Sequence, residues 1–281
     1  MTTTTLSNAA AAVLTETDPA QKAQKMLRYR QDWQKNRILK IGNTLPPDRP
    51  GRPEKPELLP PRDMPRRRKS GSDENKAALL HALAHIELNA IDLACDILAR
   101  FAPLAAENAA AGDFSLPKDF FDDWCRVAAD EARHFLLLCD RLAAFGKTYG
   151  DFPAHDGLWQ SAEMTAHDFA ARLAIVPMVL EARGLDVTPA MISAMQKQGD
   201  TETAEILQTI YQDEITHVAA GTRWFGYYCD FHRLDAEEKW QNLVRQYFHG
   251  FLKPPFNDPA RENAGLPQDW YAPLAEDITA K

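Results

Sequence analysis

The sequence predicts an all-α protein built on a bundle of four long helices. Apolar residues recur at helical spacing through four long stretches between residues 73 and 231, and nowhere does the chain alternate and turn like a β-hairpin. The motif Asp-Glu-x-x-His also occurs twice, at Asp130–His134 and at Asp213–His217, each time inside one of those stretches.

The first stretch runs from about Asp73 to Phe101, with Leu80, Leu83, Ala84, Ile91, Ala94 and Leu98 on one stripe and Pro103 beyond its end. The second runs from about Pro117, a good first-turn residue, to Phe145, with Gly146 as its stop. Its stripe passes through Phe120, Trp124, Val127, Phe135, Leu138 and Leu142. The third covers about Trp159 to Arg183, kinked at Pro177 and stopped at Gly184. Thr188-Pro189 then reads as the cap and first residue of a short helix to about Gln198. Asp200 caps the fourth, which continues to about Asp230.

The flanks differ in composition from this bundle, residues 73–231. Residues 1–72 offer one helix, about Pro19 to Lys35, followed by an arm rich in proline and charge from Pro46 to Arg68. Proline at that density neither continues helices nor donates to ladders, so the arm is expected to be extended. Composition leaves open whether it wraps the domain or is disordered. Residues 232–281 form a C-terminal extension packing on the bundle, helical from Ala236 to Phe251 and irregular through Lys253–Pro259.

Net charge is −8, which disfavours non-specific binding of the whole molecule to nucleic acid. The cluster Pro65-Arg-Arg-Arg-Lys69, with Arg62, runs against that balance. It reads either as a phosphate-binding arm, with RNA as a weak candidate partner, or as a solvated linker. Cys95, Cys125, Cys139 and Cys229 form no Cys-x-x-Cys pair, which argues against a zinc ribbon and a disulfide framework. They fit small apolar positions in a reducing compartment. No run reaches the roughly 18 apolar residues that cross a bilayer, and the N-terminus lacks the pattern of a signal peptide. The expectation is a cytoplasmic protein without membrane contact.

A single Glu-x-x-His pair carries little weight, because chance alone would supply about half of one in a chain with this many His and Glu. The repetition carries more. Each pair spaces its two side chains three apart, onto one helical face. Each also lies on an apolar stripe: Glu131 is four after Val127 and four before Phe135, and Glu214 four after Ile210 and four before Val218. The other two helices carry the same anomaly once each. Glu87 follows Leu83 by four and precedes Ile91 by four, while Glu181 follows Pro177 by four.

Four inward carboxylates need a positive counterpart, since desolvating each ionised group costs several kcal/mol. These stripes offer no Lys or Arg. Two divalent cations held by Glu87, Glu131, His134, Glu181, Glu214 and His217 would bring the core near neutrality. The set matches the ligand pattern of ferritin-like di-iron and di-manganese proteins. Oxygen-rich ligation with one imidazole per ion suits iron or manganese, alone or mixed. Asp130 and Asp213 either accept the remaining ring N–H of the ligand histidines or are exposed helix acids. Tyr211, three before Glu214, either faces the site as a candidate catalytic group or is an ordinary core tyrosine. His81 and His85, four apart on the first helix, point away from Glu87 and read as surface groups or as groups beside the ligands.

Several stretches resemble the bacterial ferritin-like proteins grouped as domain of unknown function 455. They are His85-Ile-Glu87-Leu-Asn-Ala-Ile-Asp92, Asp130–Phe135, Tyr149-Gly-Asp151 with His155–Trp159, Val176-Pro177 with Glu181–Asp186, and Asp213-Glu214 with His217-Val218. Pro50-Gly-Arg-Pro53 and Pro255–Arg261 with Ala264-Gly265 resemble that family's flanks. The resemblance implies a ferritin-like four-helix bundle and the six ligands named above. It supplies no substrate. The expected activity is that of a dimetal oxidoreductase using O2, an electron donor and an unidentified organic substrate. The alternatives are a ferroxidase or iron-handling protein, and a scaffold without catalysis.

Overall fold

Side chains that the sequence places one residue ahead of an apolar run set where most helices begin. In the computed structural model, which describes residues 4–65, 71–248 and 251–275, all regular structure is helical. The described residues hold no strand, only isolated bridges such as Leu58–Ala154 and Ala105–Leu116. The chain divides into two compact units, Met1–Trp159 and Gln160–Lys281.

In the first unit, Thr5 caps α1 (Leu6–Leu14) by accepting from the Asn8 N–H. Asp18 caps α2 (Pro19–Gln34) through the Gln21 N–H at 2.8 Å, and Pro19 fills the first turn. Ser72 caps α3 (Asp73–Arg100). The connection closes through Ala105 and Leu116, and α4 (Lys118–Ala143) returns along α3. Pro117 takes the cap position rather than the expected first turn. Phe120, Phe121, Trp124 and Phe135 of α4 are fully buried. Each contributes roughly 1.5–3 kcal/mol by leaving water.

The sequence reading finds one N-terminal helix where the structure has two. Leu6, Ala9, Ala10, Val13 and Leu14 are all buried on α1, which packs on α3, while α2 packs on α4. The proline-rich arm wraps this unit. Lys22 of α2, itself buried, donates to the Gly51 carbonyl at 3.0 Å and to Asp92 of α3 at 2.6 Å. Arg52 pairs with Asp92 and donates to Asn89 at 2.7 Å. Gly51 has to be glycine, because a Cβ there would stand 2.6 Å from the Thr15 carbonyl oxygen. The basic cluster Arg66–Lys69 lies outside the described residues; Arg62, just before it, is exposed beside Asp63.

The second unit departs furthest from expectation. The predicted helix Trp159–Arg183 is instead a succession: α5 (Gly157–Met164), a break capped by Asp168, α6 (Phe169–Ile175), a π-turn Val176–Glu181, and α7 (Ala182–Lys197). Arg172 is fully buried and ties the break together, donating to Thr165 Oγ1 at 3.0 Å and to the Ala162 carbonyl at 2.6 Å. Pro177 widens the helix into the π-turn rather than simply bending it.

Gly184 does not end the helix. Nothing lies within 4 Å of where its Cβ would be, and buried Ala182, Leu185, Ile192 and Met195 carry the helix past it. Nor do Thr188-Pro189 open a new one, since Pro189 sits inside α7. Proline there lacks the N–H that would bond the Leu185 carbonyl. Asn257 Nδ2 supplies the missing donor, at 3.0 Å from that oxygen.

Asp200 caps α8 (Thr201–His232), which ends at Arg233 in the left-handed region, φ 55°. The π-turn and α7 pack along α8 so closely that a Cβ on Gly221 would lie 2.6 Å from the Pro177 ring. Asp235 caps α9 (Ala236–Tyr247), which buries Trp240, Leu243 and Val244 and stops short of the expected Phe251. The tail then forms α10 (Asp258–Asn263) and α11 (Gln268–Tyr271).

Candidate metal centre

Each unit places one Glu-x-x-His pair in its interior. In the first, Glu87 lies thirteen residues before Arg100 at the end of α3, and Glu131 thirteen after Lys118 at the start of α4. The antiparallel pair therefore brings them level. His134, one turn beyond Glu131, points Nδ1 at both carboxylates, 3.4 Å from Glu87 Oε2 and 3.4 Å from Glu131 Oε2. The three residues each offer a ligand atom, and these lie within 4.8 Å of one another. Glu131 and His134 have no exposed surface and Glu87 keeps 4%.

That burial is electrostatically unfavourable. Glu87 Oε2 has no hydrogen-bond donor among the described residues. Desolvation first, and the neighbouring Glu131 second, raise the Glu87 carboxyl well above the ordinary carboxylate range. A cation between the two carboxylates and the imidazole would reverse both effects. The donors, two carboxylates and one imidazole, suit a hard or borderline divalent ion, so these residues fit a divalent metal.

In the second unit, Glu214 and His217 are buried on α8, with His217 Nδ1 3.8 Å from Glu214 Oε2. Again the imidazole turns Nδ1 toward the carboxylate three residues earlier. Glu181 is the last residue of the π-turn, half-buried, on the segment packed along α8.

The residues flanking these pairs also make contacts of their own. Asp130 is ion-paired with Arg133 at 3.1 Å and Arg126 at 3.5 Å, on its own helix. Asp213 is half-buried, and its backbone carbonyl accepts from Thr216. The Tyr211 hydroxyl accepts from Asn257 Nδ2 at 3.0 Å, which ties this tyrosine to the C-terminal segment.

His81 and His85 are buried, not on the surface. His81 Nε2 accepts from the Gly150 N–H at 2.9 Å and its ring stacks on Tyr149. His85 Nδ1 meets the Tyr149 hydroxyl at 2.7 Å. With Asn89, Asp92, Arg52 and Lys22 they belong to a polar layer inside the first unit that periodicity alone does not reveal. The one sequence signal is a pair of polar residues, Asn89 and Asp92, three apart within the otherwise apolar stretch Leu88–Cys95.

Residues 15–272 match the family described as "Protein of unknown function (DUF455)". The chain belongs to that family. It is also 42% identical over 221 residues to an "Uncharacterized protein" of Haemophilus influenzae, a match covering 78% of this chain and 75% of that protein. No solved structure matches the chain. No helix among the described residues is long and apolar enough to cross a membrane.

Proposed function

We propose that this chain is a non-haem dimetal oxidoreductase, with iron the leading metal and manganese or a mixed pair as variants. The observation that carries the reading is the buried triad Glu87–His134–Glu131, two carboxylates turned on one imidazole nitrogen. The Glu214–His217 pair of the second unit repeats its chemistry. Glu87, Glu131, His134, Glu181, Glu214 and His217 are the proposed ligands. The fold that goes with them is a ferritin-like four-helix bundle, each long helical segment supplying one glutamate.

A pair of reduced ions would supply two electrons to O2 at one place. The site has to hold four carboxylates and two imidazoles in the required protonation states and to keep bulk water away. Burial does the second, since Glu131, His134 and His217 have no exposed surface; the first falls to the charge of the bound metal, because burial by itself favours the protonated carboxyl, as at Glu87. A donor set this heavily buried is expected to serve a resident metal rather than one passing through.

Oxygen uptake by the anaerobic, ferrous-loaded protein tests this. Uptake should stop after about one O2 per metal pair and resume only when a reductant is added. Continued oxidation of free Fe²⁺ far beyond the bound amount, with no reductant, would replace this reading with ferroxidase activity.

A further inference from the structure

A cavity of about 270 Å³ lies wholly within the second unit. Its apolar lining comes from Val179 and Leu180 of the π-turn and from Phe248, Phe251, Leu252 and Phe256 after α9. Set among them are three cations, Arg183, Lys253 and Arg261, against a single acid, Asp186.

The charges do not cancel. Asp186 is committed to Arg261, whose Nε and Nη2 reach its two oxygens at 2.9 and 2.7 Å. The Asn257 N–H adds a third bond to the same carboxylate at 2.9 Å. Arg183 stands 3.4 Å from Asp186 and directs Nη1 mainly at the Lys253 carbonyl, at 2.5 Å, which satisfies a donor but leaves its charge in place. The Lys253 ammonium has no ion pair among the described residues. The cavity thus combines three phenyl rings with a surplus of positive charge at its polar edge.

We propose that this cavity binds a small monocarboxylate with an apolar body. The carboxylate would be received by Arg183 and Lys253, and the body by Phe248, Phe251 and Phe256. A neutral hydrocarbon would leave both cations without a counter-charge. A phosphate or nucleotide would bring more charge and polar surface than these walls can solvate. The volume is at the small end of ligand pockets, which run about 300–1,000 Å³, so the body is compact. Val179, Leu180 and Arg183 flank Glu181 in sequence, so an occupant touches the segment that carries it. The inference needs no metal and does not rest on the dimetal reading.

Calorimetric titration of the full chain with octanoate, 1-octanol and acetate tests it. Octanoate should bind saturably, and both the alcohol and acetate about tenfold or more weakly, each lacking one half of the match. Lys253→Gln, at an exposed position, should weaken octanoate about fivefold or more while leaving 1-octanol unchanged. Phe251→Ser, also exposed, should weaken octanoate and 1-octanol together. Absence of saturable octanoate binding would overturn the proposal. So would equal affinity for the alcohol, or octanoate binding unaffected by Lys253→Gln.

Discussion

His81 shows how a buried side chain acquires a pH dependence of its own. It has no exposed surface, accepts from the Gly150 N–H and stacks on Tyr149. Burial lowers its pKa from 6.5 to about 4, with nearby Asp151 opposing only in part. Between pH 4 and 6.5 the unfolded chain therefore binds more protons at this site than the folded one. Stability rises with pH across that window, and the contribution is lost as pH falls from 6.5 toward 4. Urea unfolding of metal-free protein should show a drop on the order of 2–3 kcal/mol from this residue over that range. The drop should be smaller in His81→Gln, and an equal drop in both proteins would remove His81 as its source. Glu87 has the opposite sign: its raised carboxyl lowers metal-free stability as pH climbs past the unfolded value of 4.5. Glu87→Gln should accordingly be neutral or stabilising without metal and sharply reduce metal content, whereas equal destabilisation of both forms would make Glu87 a structural residue.

Helix α7 and the π-turn before it depend on compensation from elsewhere in the second unit. Pro189 deprives the Leu185 carbonyl of its helical donor, and Asn257 replaces it from 72 residues further along the chain. Asn257→Ala should cost about 1–2 kcal/mol in thermal or urea unfolding. In a Pro189→Ala background the helix regains its own bond, so the same change should cost less, and an unchanged cost would mean the two sites are not coupled. Gly221 answers Pro177 in the same way. Gly221→Ala should destabilise by roughly 1–3 kcal/mol, because the added Cβ meets the proline ring. Gly226→Ala on the same helix meets nothing within 4 Å and should instead gain up to about 1 kcal/mol. If the two substitutions behaved alike, the close contact would not matter. These compensations explain why this region was the hardest to read from sequence. Rules for proline and glycine are local, and they place a stop at Gly184 and a start at Thr188-Pro189. The partner that lets the helix continue lies in the tail. The first helix of the N-terminal pair is a different case: Leu6, Ala9, Ala10, Val13 and Leu14 fit the helical template, and Thr5 caps them, but the alanine-rich run offers no polar face to contrast with.

At the scale of the whole molecule, the sequence discloses the all-helical class and the long helices α3, α4 and α8 with little error, because long periodic stripes and side-chain caps are local signals. It also singles out the buried glutamates, since a carboxylate on an apolar stripe stands out against its neighbours. The polar layer joining Lys22, Arg52 and Asp92 is not legible in the same way, because its members come from three separate segments and each looks unremarkable alone. That layer holds the proline-rich arm against α3, close in sequence to Glu87. Asp92→Ala would leave the buried Lys22 ammonium without its counter-charge and should cost about 3–5 kcal/mol, measured by urea unfolding. A loss under about 1 kcal/mol would mean the arm is held by other contacts. The central claim is that the inward glutamates and histidines exist to hold a metal pair. Elemental analysis of the full chain after anaerobic iron reconstitution and desalting tests it most directly. The account predicts about two ions per chain, falling to about one or none in Glu131→Ala. Retention of no metal by the unaltered protein, or the same metal content in both, would contradict it.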